Sequence, residues 1–518
     1  MTTLLIRRFL TDYGRNRANL ILLLLVPVAF VVAAAPALAD ASALLGGAGG
    51  GAAIETVTAG WAAGFLAGVA MYFQISGTHA ADRRLVLAGM PRLRLAAARI
   101  ATGVALGTLA SLTALLALAA RGEVREPHRV IVGTLLFALV YVGIGAVVGA
   151  AVPSAVNGTV LLLFIWILDV FFGPTLSGTQ SWVVRLLPTH FISLWTVDIP
   201  AGHAGPGELA WSLAWTVAAL LLGTAVVMGR RPGRRAHRRP PGGGAQLRTG
   251  LRLGWHDWRR TPVLWVLLAV VPAVFILLSE AITPHGQTPV VLREGGLSQV
   301  AIVDPAEIHA GTMAPIAVAS LATLLGVFLV LDSRSADRRL VQAGARRVVL
   351  VITRLLLVLG ATVVATVVAL TVTATVFEPG QWGIYAAGNT LLAVTYACIG
   401  IILGPVFGRV SSVFLAFLIP FLDLGIWQGP MLREAPEAWT RWLPGYGGTR
   451  VLIDGALTAG FDETTSLLVA LAWLGVLLIA ACVVLTPAVQ RRPAGPRSGQ
   501  PGGPAVGRRV LHRTLMGP

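Results

Sequence analysis

Apolar runs of about twenty residues recur from one end of the chain to the other. Each is long enough to cross the hydrocarbon core of a bilayer as a helix rising about 1.5 Å per residue. They fall near 20 to 39, 58 to 76, 97 to 120, 130 to 152, 157 to 175 and 209 to 229, then near 263 to 282, 312 to 331, 350 to 376, 383 to 406, 410 to 428 and 465 to 487. Backbone amides and carbonyls in lipid must be paired within the structure, which leaves helices or closed barrels, and runs of this length exceed barrel strands. With 56% of residues hydrophobic, 12% charged and a mean hydropathy of +0.78, the chain is predicted to be an all-α polytopic membrane protein with about twelve spans, six per half.

Arginine placement predicts orientation, because cytoplasmic loops collect positive charge. Arg7, Arg8, Arg15 and Arg17 precede the first span, and Arg83, Arg84, Arg92 and Arg94 separate the second from the third. A basic, Pro- and Gly-rich linker at 229–248 joins a first half, 1–228, to a second, 249–490, and a basic tail fills 491–518. All of these fall on one side if both termini are cytoplasmic. The loop at 121 to 129, with Arg121, Arg125 and Arg129 beside Glu123 and Glu126, breaks the rule. Linker and tail read as flexible and solvated, suited to anionic lipid rather than nucleic acid. Cys398 and Cys482 sit in apolar stretches and read as small core residues, not as a disulfide or metal framework.

The halves repeat each other. A-D-R-R-L-V-L-A-G at 81 to 89 returns as A-D-R-R-L-V-Q-A-G at 336 to 344. Asp82 and Asp337 are 255 residues apart (337 − 82), and the same offset pairs Arg99 with Arg354, Tyr141 with Tyr396, Gly145 with Gly400 and Gly149 with Gly404. Asp169 and Asp423 each precede a Gly-Pro, and R-L-L-P at 185 to 188 answers R-W-L-P at 441 to 444. Near the N-terminus the offset is 245 (272 − 27), pairing Asp12 with Asp257 and Pro27 with Pro272, which fits a longer loop after the seventh span. The echo also argues against a cleaved export signal, which would not recur in mid-chain. An even number of spans per unit makes the repeats parallel about an axis along the membrane normal, with the two A-D-R-R phrases on either side of it.

Three features of each half resemble the ABC-2-type permeases, the membrane subunits of ATP-binding-cassette exporters. They are the basic segment running into a V-P-x-x-F span (5 to 30, 251 to 275), the charged loop after the second span, and a late segment carrying Gly-Pro and then W-x-x-R-x-L-P or W-T-R-W-L-P. The resemblance covers nearly the whole chain outside linker and tail, and its specificity lies in the order of the motifs, met twice. It implies a fused dimer whose first cytoplasmic loops rest on the ATPase, giving Asp82, Arg83, Arg84, Asp337, Arg338 and Arg339 the coupling role. An Asp beside two Arg offers fixed charges for directional bonds to a partner protein.

All forty cationic residues are arginine, so no phosphate-binding loop with its lysine is present and the chain is not expected to hydrolyse ATP itself. ATP and Mg would act through a separately encoded ABC ATPase, two copies per permease. For a substrate route, Trp61, Phe65 and Tyr72 fall at helical spacing on the second span, suited to a flat hydrophobic solute, with lipid contact or packing as the alternative. The offset turns them into Ile316, Ser320 and Val327, so any pocket is asymmetric. Asp169 and Asp423 read either as a proton relay or as acids at a chain break reached by water. The expectation is export of a hydrophobic drug, antibiotic or lipid across a bacterial cell membrane. The main rival is a proton-coupled transporter of the major facilitator type. A membrane-embedded glycosyltransferase is disfavoured because residues 283 to 311 and 429 to 464 show no gathering of acids or histidines.

Overall fold

The computed structural model describes residues 2–44, 50–122, 124–152, 154–177, 182, 184–197, 205–229, 262–294, 297–430 and 437–486. The basic linker after Gly229, the tail and the basic stretch at 251 to 261 therefore lie outside the described residues. In chain order the helices are α1 (Thr2–Gly14), α2 (Arg17–Ala29), α3 (Ala35–Leu44), α4 (Gly50–Ser76), α5 (His79–Leu87), α6 (Arg92–Arg121), α7 (Pro127–Ala151), α8 (Ala155–Phe171), α9 (Pro174–Ser177), α10 (His190–Thr196) and α11 (Pro206–Gly229). There follow α12 (Pro262–Ile282), a hairpin of β1 (Thr288–Glu294) and β2 (Leu297–Val303), α13 (Pro305–Gln342), α14 (Arg347–Thr373), α15 (Trp382–Pro420), α16 (Tyr446–Leu457) and α17 (Thr464–Leu485).

Eleven helical segments among the described residues are long and apolar enough to cross a membrane. The sequence expectation of about twelve differs at one place. Trp382–Trp427 runs as one segment of 46 residues where two spans were expected. At about 1.5 Å per residue it is more than twice the depth of a bilayer core. It is divided internally by Gly408, whose φ of 75° and ψ of −174° leave the helical region. Only glycine adopts that conformation without strain.

The hairpin is a second departure from the all-α expectation. Thr288 pairs with Val303 and Glu294 with Leu297 in antiparallel register. Val-rich flanks around E-G-G-L carry a hairpin signal that the reading of this stretch as a long loop passed over. His285 sits at its base, with Nδ1 2.8 Å from Asp304 and Nε2 3.4 Å from Glu280, while Asp304 also caps α13 by accepting from Ala306 N–H. His285 and Asp304 lie within 283 to 311 and Glu280 just before it, so these contacts tie the end of α12 to the start of α13 at the base of the hairpin.

The core is built on two central helices, α4 and α13. Nearly nine-tenths of each is covered by protein. Lipid tails are as apolar as leucine, so helices in a bilayer gain little from burying oily surface and associate where small residues let backbones close in. Gly145 of α7 packs on the carbonyl of Gly68 in α4, and Gly400 of α15 packs on the carbonyl of Thr323 in α13. Gly149 and Gly404, one turn on, lie against Tyr72 and Val327 in the same way. At each of these four positions the repeated glycine is a contact surface, not a flexible point.

Two arginines of the 121 to 129 loop, Arg121 and Arg129, are matched locally. Arg121 binds Glu55 at 3.1 Å and the Val32 carbonyl at 2.9 Å, and Arg129 binds Glu126 at 2.7 Å. Cys398 is buried and Cys482 half-buried, both as free thiols.

Replacing Gly145 or Gly400 by leucine drives a side chain into a backbone carbonyl and is expected to cost at least about 1–3 kcal/mol, read as a lowered melting temperature of the detergent-solubilised protein. Gly360→Leu, where nothing lies within 4 Å, is expected to leave it unchanged. The hydrogen bond to Asp304 and its charge raise the pKa of His285 above 6.5. The tie is therefore complete below 6.5 and is lost as pH rises through the raised value. NMR titration of His285 should show a midpoint above 6.5 that Asp304→Asn lowers.

Candidate functional site

Each A-D-R-R phrase lies beside the start of the next long helix, and the fold divides its residues between two tasks. Asp82 accepts from Arg99 Nη2 at 2.6 Å and from Thr78 Oγ1 at 3.1 Å. Asp337 accepts from Arg354 Nη2 at 2.8 Å and Nε at 3.3 Å. The aspartates thus latch their loops onto α6 and α14, and the side chain of Asp337 is only 8% exposed. Arg99 is itself buried and lies 3.6 Å over the ring of Phe9, so the first latch also holds α1. Gly89 and Gly344 both take φ 92° and close the helical turn, their N–H groups donating to Val86 and Val341. What the phrase presents to solvent is Arg83, Arg84, Arg338 and Arg339, all exposed.

The two loops are nevertheless not the same object. In the first half a turn at Gly77 and Thr78 separates the short helix α5 from α4. In the second half Asp332 and Ser333 stand at those positions and the helix does not break, so Arg338 and Arg339 ride on the last turns of the 38-residue helix α13. Asp332 forms an ion pair with Arg409, next to the Gly408 break.

Asp169 and Asp423 occupy equivalent clasps. Asp169 accepts from Tyr141 Oη at 2.8 Å, Thr189 Oγ1 at 2.7 Å and Thr189 N at 3.3 Å. Asp423 accepts from Tyr396 Oη, from Gln428 Nε2 and from Gly445 N at 3.0 Å. Thr189 and Gly445 directly follow the R-L-L-P and R-W-L-P motifs. Those motifs therefore deliver a backbone N–H to the carboxylate and seat α10 and α16 over spans that end nearby. The expectation that water reaches these acids is corrected here: Asp169 is 3% exposed and Asp423 2%. Amide and hydroxyl donors take the place of solvent.

The expected aromatic stripe is split among three tasks. The Trp61 carbonyl accepts from Trp166 Nε1 at 2.9 Å. Tyr72 Oη donates to the Ser154 carbonyl at 2.8 Å, where α7 gives way to α8. Phe65 has ring contacts with the second half, 5.6 Å from Phe414 and 6.2 Å from Phe417, with Trp166 at 5.0 Å. Phe30 stacks on Phe421 at 6.2 Å. Both of those residues open π-helical stretches, Phe30–Ala34 three residues after Pro27 and Phe421–Trp427 directly after Pro420. Ser320 is buried in α13, and its Oγ has no hydrogen-bond partner.

Sequence reasoning paired Arg99 with Arg354 but gave them no task. Their distance from the aspartates, seventeen residues in both halves, was the available signal. Neither π-helix was foreseen, although proline inside an apolar span marks the place. Among the described residues no cluster of histidine, cysteine and carboxylates could hold a metal. No protein-family model and no curated protein matches the chain.

Removing the Tyr396 hydroxyl leaves the buried Asp423 carboxylate one donor short. Tyr396→Phe is expected to destabilise the protein by about 1–3 kcal/mol. Combining it with Asp423→Leu should recover part of that loss, measured by thermal unfolding in detergent.

Proposed function

We propose that this chain is the permease subunit of an ABC exporter, moving a hydrophobic small molecule outward with ATP hydrolysed by separate ATPase subunits. The observation that carries the reading is the pair of A-D-R-R loops, each fixed by an Asp–Arg latch and each presenting two exposed arginines. A platform for a partner needs charges held in place, and the latch supplies the holding while the arginines supply the contact. The absence of lysine from the sequence supports a motor on another chain.

In this reading the 46-residue segment makes two crossings, divided at Gly408, which gives twelve spans as two parallel six-span repeats. Both termini, the linker and the two arginine loops then share the cytoplasmic face of a bacterial cell membrane, and α10, α16 and the hairpin lie on the other. Two ATPase copies dock beneath, one per loop. The facilitator alternative calls for an acid that exchanges protons with water. Asp169 and Asp423 are enclosed, with their oxygens taken by neutral donors, and they serve the exporter reading better as fastenings of its outer face.

Reversing charge at Arg83, Arg84, Arg338 and Arg339 together should abolish ATP-driven transport while leaving folding and melting temperature intact. Normal transport by that variant would overturn the coupling assignment. Purification from native membranes followed by mass spectrometry should find a soluble ATPase at two copies per permease.

A further inference from the structure

Cys398 and Cys482 are the two cysteines of the chain, 84 positions apart (482 − 398), and the fold brings them together. Cys398 lies on α15 and Cys482 on α17. Both belong to one apolar cluster with Val330, Val351, Ala481 and Leu485, and their sulfurs are close enough to interact. The matching contact in the first half has the same helices but different residues. There α7 meets α11 at Gly143, which lies against Ala219 and Gly223. The offset of 255 puts Cys398 at the place of Gly143, and the Ala-Trp pairs at 214–215 and 472–473 put Ala481 and Cys482 at the places of Gly223 and Thr224. Sulfur therefore occupies a crossing where the first half has bare backbone. Any one buried residue touches a small fraction of a chain of 518, and the thiol at 398 touches the other thiol's cluster.

The two thiols differ in access. Cys398 is 2% exposed, which closes it to any reagent from outside. Cys482 is half-buried. It stands between the covered side of α17, with Ala481 and Leu485, and the open side, with Ile479 and Val483. About a tenth of α17 is buried in the protein, so that open side faces lipid. A cysteine reacts through its thiolate and only where a reagent reaches it, so first attack falls to Cys482. The surroundings are apolar, which turns away charged oxidants and admits a neutral one dissolved in hydrocarbon.

We propose that Cys398 and Cys482 form an oxidation site for hydroperoxides, closing to a disulfide that fastens α17 to α15. The Cys482 sulfur gives up its proton and attacks an oxygen of ROOH. The O–O bond breaks, RO leaves with the electron pair and takes up a proton as ROH, and Cys482 remains as sulfenic acid. The Cys398 sulfur then attacks the Cys482 sulfur. The S–S bond forms, the S–O bond breaks, and hydroxide leaves with the Cys398 proton as water. Two thiols thus lose two electrons and ROOH gains them, giving one disulfide, ROH and water. R is hydrogen or the acyl chain of an oxidised lipid, and both carry the same O–O bond. Nothing in these steps depends on ATP or on the permease reading.

The test uses the full chain in phosphatidylcholine nanodiscs, reduced and then freed of reductant. One arm receives hydrogen peroxide in the water and the other cumene hydroperoxide dissolved in the bilayer. Remaining thiols are blocked with N-ethylmaleimide before tryptic digestion and mass spectrometry without reduction. Cleavage after Arg354, Arg409, Arg450 and Arg491 leaves each cysteine on its own peptide, 355–409 and 451–491. The two should appear joined, two hydrogens lighter than their sum, and dithiothreitol should part them. The faster arm identifies the source of the peroxide. Dimedone trapping of sulfenic acid at Cys482 in Cys398→Ala should exceed trapping at Cys398 in Cys482→Ala by about tenfold. Failure of both arms to join the peptides in the folded protein, or joining that occurs only after denaturation, would overturn the proposal without recourse to either variant. Stronger trapping at Cys398 would overturn the order of attack.

Discussion

Close approach of helix backbones at glycine is the constraint on which the rest of the molecule depends. Within a bilayer there is no oil-and-water force to gather helices, so α4 and α13 can be central only because α7 and α15 press backbone to backbone against them at Gly145, Gly149, Gly400 and Gly404. Once those two crossings are set, the ends of α7 and α15 and the helices that follow are set too. Tyr141 and Tyr396, one turn before the first glycine of each pair, then reach Asp169 and Asp423. The clasps inherit their geometry from the crossings, and α10 and α16 inherit theirs from the clasps.

Much of this was legible in the sequence because the relevant signals are long or repeated. Hydrophobic runs mark spans whatever their neighbours do, and the offset of 255 separates positions that matter twice from those that do not. The fate of each side chain was less legible. Asp82 was read as a contact for a partner, yet its carboxylate is engaged by Arg99, a residue seventeen positions on and one helix away. Asp169 and Asp423 were placed near water because Gly-Pro follows them, whereas three donors enclose each. Spacing says which residues share a face; it does not say what stands opposite. The break at Gly408 falls between the spans read at 383 to 406 and 410 to 428, although the positive φ that joins them into one segment leaves no trace in the sequence.

The stretches that echo each other in sequence carry matching fastenings. Latch, glycine crossing and clasp appear in both halves with closely matching partners, which is what stability of each half demands.

The unbroken length of α13 has a mechanical consequence. A helix of 38 residues rising about 1.5 Å per residue spans about 57 Å, from the base of the hairpin past Arg339 to Gln342, with no turn between its apolar part and the arginines. In the first half Gly77 and Thr78 put a knuckle between α5 and its span. Equal strokes delivered to the two arginine pairs would therefore travel differently, the one carried whole to the far end and the other partly absorbed in bending the joint. Under the proposed docking of two ATPase copies, a symmetric engine would drive an asymmetric machine.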